Sequence, residues 1–125
     1  MPSERAQRCF ADIIAAIDLI QTWTKSAGGV DQAVHHDMLV RSGIERQFLV
    51  ISEAAIRLEK LEPDLAGKLA PEIDWPGIRG IGNFIRHKYD DLDSAVIADV
   101  LCGRLDELRE AAQRALTAIA QSDKL

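Results

Sequence analysis

Three long stretches of the chain space their apolar residues at the threes and fours of a helix. In the first, Ala6, Phe10, Ile13, Ile17 and Ile20 share one face, Ser3 stands where an N-cap belongs, and Gly28-Gly29 follow a polar run from Thr22 to Ala27. The second begins near Asp31, a good capping residue, and carries Ile44, Phe48, Ile51, Ala55 and Leu58 as far as Leu61. Gly43 lies inside it and marks a bend, at a cost of about 1 kcal/mol relative to alanine. Pro63 stops the pattern. The third, from Asp93 or Ser94 as cap to about Gln121, lines up Ile97, Leu101, Leu105, Leu108, Ala112, Ala115 and Ile119. No stretch alternates apolar and polar residues, and no Asn-Gly or Asp-Gly hairpin turn occurs.

The region between the second and third stretches is less regular. Asp64 to Leu69 suits a short helix, Pro71 to Gly77 a loop, and Pro76 the first turn of a helix covering roughly Gly77 to Lys88. The expected architecture is all-α: an antiparallel up-and-down bundle of four to five helices joined by brief loops.

Length and composition fit one domain over residues 1–125. The chain has 125 residues, 47% of them hydrophobic and 28% charged, which is ordinary globular composition. That size buries about two-thirds of the unfolded surface, so a substrate belongs in a groove or between two subunits. No apolar run reaches the roughly 18–20 residues of a membrane span. Met1-Pro2-Ser3-Glu4-Arg5 lacks the layout of a signal peptide. Cys9 and Cys102 form no Cys-x-x-Cys pair and read as reduced, apolar packing residues. A cytoplasmic protein with no cofactor, no metal and no membrane association is expected.

A net charge of −5 argues against coating a long nucleic acid but leaves room for a compact basic site. The segment Ile78 to Tyr89 is that candidate, since it holds Arg79, Arg86 and Lys88 with no carboxylate. On a helix, Asn83, His87 and Asp91 share a face, and Arg79, Asn83, Arg86 and Asp90 make a neighbouring stripe. Histidine can move a proton near neutral pH, and arginine can hold phosphate oxygens. Together they suit RNA cleavage by the ribose 2′-OH, for which DNA is inert. The plain alternative makes His87, Arg86 and Lys88 partners of the helix dipole and Tyr89 a packing residue. His35-His36 and the charges Arg104, Glu107, Arg109, Glu110 and Arg114 read as solvated helix faces with ion pairs along the last helix. Trp23 and Trp75 read as buried anchors at helix ends.

The wording Asn83-x-x-x-His87-x-Tyr89 followed by Asp90 to Asp93, with Ile51-Ser52-Glu53-Ala54-Ala55 and Trp75 upstream, resembles the HepT-like branch of the HEPN family. The resemblance spans nearly the whole chain, and its specific part is the motif. It implies a metal-independent endoribonuclease toxin with RNA as substrate, acting as a homodimer whose motif helices face each other. It also implies a minimal nucleotidyltransferase antitoxin that neutralises the toxin by attaching AMP to the tyrosine, here Tyr89. The family's arginine, five residues before the histidine, is replaced by Gly82. Arg79 and Arg86 are the candidate substitutes, about 80° and about 100° around an ideal helix from His87, and the paired Gly80 and Gly82 are expected to loosen the turn. The alternative is a catalytically impaired HEPN protein that binds a nucleotide or a partner. A plain dimeric adaptor bundle is the third reading. If Gly82 marks a lost cation, Gly82→Arg is expected to raise cleavage.

Overall fold

The computed structural model describes residues 3–87 and 94–123, with the backbone alone for 84–87, 94–96, 101, 102 and 123. Every regular element among them is helical: α1 (Glu4–Ser26), α2 (Met38–Leu61), α3 (Leu65–Leu69), α4 (Trp75–His87), α5 (Ser94–Asp99) and α6 (Leu105–Asp123). Two π-helical turns complete the set, Gln32–His36 and Val100–Arg104. The second joins α5 directly to α6, with Asp99 and Leu105 both in right-handed helical conformation, so residues 94–123 form one rod with a widened turn. The all-α bundle expected from periodicity is the observed fold.

Helix ends are set by named side chains. Ser3 Oγ accepts from the Ala6 amide at 3.1 Å, and the Ser3 amide donates to Glu62 Oε2 at 2.9 Å, tying the start of α1 to the end of α2. At the other end of α1, Gly28 and Gly29 take φ of 105° and 117°, and Gly29 donates back to the Thr24 carbonyl. A side chain would be strained at either position. Asp74 Oδ1 accepts from the Gly77 amide at 3.1 Å, starting α4 at Trp75, two residues earlier than its sequence suggests.

Two expectations for α2 are corrected. Its cap is Asp37, which has extended backbone and accepts from the Val40 amide at 3.0 Å; Asp31 has helical backbone and makes no capping bond. Residues 32–36 form a separate π turn, because the chain turns extended at Asp37 before the long helix begins. Gly43 makes no break, and α2 runs through it. A Cβ there would stand 3.1 Å from the Trp23 indole, so the glycine is a point of close packing between α1 and α2.

The buried residues form one cluster drawn from α1, the first π turn, α2, α3 with Ala70, Trp75, Ile97 and α6. Phe10, Ile13, Ile17, Ile20, Ile44 and Leu58 are wholly enclosed, each worth about 1.5–3 kcal/mol by burial. Trp75 seals one end: it meets Phe10 edge-on at 6.3 Å and donates through Nε1 to the Ala70 carbonyl at 3.0 Å. Trp23 is only half-buried. The charged face of α6 also differs from expectation. Arg109 reaches α1, binding Asp18 through two nitrogens at 2.7 and 3.3 Å; Arg114 bonds Glu72, and Arg104 pairs with Asp99. Arg109 and Arg114 therefore join α6 to its surroundings, while Arg104 pairs within the rod.

Candidate functional site

The motif segment is built on α4, which lies against α2. Their crossing turns on Ser52, a fully buried polar residue. Its Oγ donates to the Arg79 carbonyl at 2.8 Å and accepts from the Gly82 amide at 3.1 Å. A hydroxyl can do both at once, so one side chain of α2 fixes both the height and the rotation of α4. Gly82 is what allows the approach. A Cβ there would lie 2.8 Å from Ser52 Oγ and 3.3 Å from Ser52 Cβ.

This changes the meaning of the glycine at the motif position. Position 82 is buried against α2, so an arginine placed there would start inside a helix–helix contact and not at an open site. Gly82→Arg by itself is therefore no simple restoration of a cation. Nor do Gly80 and Gly82 loosen the helix, for α4 is continuous from Trp75 to His87.

Arg79 is half-buried and its Nη1 lies 3.7 Å from Glu59 Oε2, with side-chain exposures of 27% and 46%. A single long contact open to water on one side is a weak ion pair, so this guanidinium remains available to a stronger anion. Asn83, Gly80 and Pro76 are exposed along the same side of α4. By helical register, Arg79, Asn83 and His87 follow one another at steps of four. The side chains of Arg86 and His87, and all of Lys88, Tyr89 and Asp90 to Asp93, lie outside the described residues.

An apolar-lined groove lies elsewhere. About 600 Å³ in volume, it runs between α2, α4 and the last rod, with Phe48, Ile51, Ile78, Ile81 and Leu108 among its lining. Ile78 and Ile81 sit about 140–160° around α4 from Asn83. Among the described residues its charged lining is Glu72, Asp74, Glu107 and Arg104, which is an unfavourable setting for a phosphate. Neither the His35-His36 pair nor the thiol at position 9 adds chemistry. Both histidines are exposed, His36 lying 3.6 Å from Asp31, and among the described residues no cluster of three or more metal-ligating side chains occurs. Cys9 is buried in the core, and burial pushes its thiol pKa up against the opposing influence of Arg57.

Sequence reasoning singled out Arg79 and Asn83, and the structure brings them to one side of one helix. It did not foresee Glu59 as the partner of Arg79, nor Ser52 as the fastener of α4. The sequence signal for Ser52 is a hydroxyl inside an otherwise apolar helix face.

The fold is that of a small all-helical protein, with Arg79 and the exposed Asn83 on a helix packed against α2. Residues 13–115 match the family model described as Ribonuclease HepT-like. That match covers the second half of α1, all of α2 to α5, and the first half of α6, and the chain belongs to this family. No curated protein and no solved structure matches the chain. Among the described residues no helix is long and apolar enough to cross a membrane.

Proposed function

We propose that the chain is a metal-independent endoribonuclease of the HepT toxin type, with His87 as its acid–base group. The observation that carries the reading is the family match over residues 13–115. It is supported by α4, where Arg79 and Asn83 lead to His87 along one side of the helix.

In the proposed reaction the ribose 2′-oxygen forms a bond to the adjacent phosphorus while the bond from phosphorus to the 5′-oxygen breaks. The 2′-OH gives up its proton and the departing 5′-oxygen gains one, leaving a 2′,3′-cyclic phosphate and a 5′-OH. Imidazole is suited to either transfer near neutral pH. The charge that develops on the phosphoryl oxygens calls for a guanidinium, for which Arg79 and Arg86 are the candidates in this chain. A homodimer would place a second motif helix across the cleft, and a nucleotidyltransferase antitoxin would silence the site by attaching AMP to Tyr89. Such a module works in the cytoplasm.

Single-turnover cleavage of RNA by the purified protein, in the presence of a chelator, tests the reading. Cleavage that disappears in His87→Ala supports it, and full activity in that variant removes His87 from the mechanism. Tyr89→Phe is expected to escape the antitoxin while keeping its RNA cleavage.

A second reading has its own observation. Position 82 carries no cation and is filled from α2 by Ser52, which suits a non-catalytic member that binds a nucleotide or a partner protein. Wild-type protein that binds RNA or nucleotide but never cleaves would favour it.

A further inference from the structure

Arg79 and His87 stand eight residues apart in the unbroken helix Trp75–His87. Ideal geometry separates them by about 12 Å along the axis and about 80° around it. Position 82 would be nearer along the axis, about 7.5 Å, but about 140° away in rotation, and a side chain there would have to displace Ser52. Among the described side chains of α4 the cation is Arg79, about one turn farther along the axis from position 87 than position 82 is, and on a more open side.

The guanidinium also leans away from position 87. Helix side chains point towards the N-terminal end of their helix. Moreover, α2 crosses α4 so that its Ser52 meets the backbone of Arg79 and Gly82, while Glu59, two turns later in α2, meets the Arg79 side chain. Exposed Asn83 lies midway between positions 79 and 87. Among the described side chains of α4, Arg79 and Asn83 thus make a polar strip that leads towards position 87.

We infer that Arg79 is a strand-binding residue that takes a phosphate flanking the scissile one, and does not serve the reacting phosphoryl group. This rests on the reading that His87 acts on RNA, and it leaves Arg86, beside His87 in the chain, as the cation for the reacting phosphate. The ligand is a single-stranded polynucleotide long enough to carry a second phosphate along α4. Glu59 holds the guanidinium when the strand is absent and gives it up when the phosphate arrives.

Two probes test this. Binding is measured by fluorescence anisotropy with a short single-stranded 2′-O-methyl RNA, which cannot react. Arg79→Gln should weaken binding several-fold and reduce the slope of log Kd against log salt by about 0.7, the share of one single-strand phosphate contact. Arg79→Lys should recover most of that slope, and Glu59→Gln should tighten binding by removing the competing carboxylate. Cleavage is then compared between an oligonucleotide and a dinucleoside monophosphate, which has one phosphate. Arg79→Gln should cost several-fold more kcat/KM on the oligonucleotide, through KM. An unaltered salt slope, or equal losses on both substrates, overturns the inference. Cleavage that survives in His87→Ala sinks the reading beneath it, whereas the anisotropy measurement, which involves no cleavage, still decides whether Arg79 binds the strand.

Discussion

The hydroxyl of Ser52 occupies the space where the side chain of residue 82 would begin, 2.8 Å from the position of a Cβ on Gly82. The same oxygen bonds the Gly82 amide and the Arg79 carbonyl. Serine and glycine here are two halves of one contact, and the empty motif position is a consequence of how α4 sits on α2.

If so, substitutions at the two positions are coupled. Gly82→Ala should destabilise the protein despite the roughly 1 kcal/mol that alanine gains inside a helix, because overpacking costs about 1–3 kcal/mol. Gly82→Arg should be worse. In a Ser52→Gly background the cost of Gly82→Ala should shrink by about 1 kcal/mol, within the range seen for residues in contact. Urea unfolding of the four proteins measures this, and strictly additive changes would refute the pairing.

The start of α2 gives a second prediction. Asp37→Ala removes the acceptor for the Val40 amide and should cost about 1 kcal/mol. Asp31→Ala removes a long, exposed contact to His36 and should be close to neutral. Thermal unfolding of both variants separates a cap at Asp37 from one at Asp31. Equal effects would contradict the observed boundary.

Acid should loosen the joint between α1 and α6. The hydrogen bond from Arg109 holds the Asp18 carboxyl below its usual pKa range, against a smaller opposing effect of burial. A folded-state pKa below the unfolded one gives stability that is present above the unfolded value, about 3.9, and lost as pH falls through the folded value. Asp18→Asn should therefore be less stable than the parent at neutral pH, with the difference shrinking as pH falls through the depressed folded-state value. The effect should be small and should fade with salt, because the pair is exposed to solvent. A difference that persisted in acid would mean that Asp18 acts through packing.

Much of this protein was legible in its residue order because helices are local structures. The apolar stripes of α1, α2 and α6 recur every three or four positions, so burial of one face is written directly into the spacing. Ser3, Gly28-Gly29 and Pro63 mark ends through bonds and dihedral angles that span a few residues at most. The α2 cap was misplaced by six residues because Asp31 and Asp37 carry the same side chain, and only the extended backbone at Asp37 chooses between them.

What the order of residues alone determined was the helical bundle, its apolar faces, and the motif that points to the HepT-like ribonucleases. Tertiary structure alone decided that Gly82 faces Ser52, that Arg79 rests beside Glu59, and that α6 reaches α1 through Arg109. Each of these joins residues from different helices, separated by 20 or more positions in the chain, and a periodic pattern carries the direction of a face but not the identity of what will meet it. The physical reason is that helix packing is set by the summed fit of many side chains, so the neighbour of any one residue emerges only once the helices have come together.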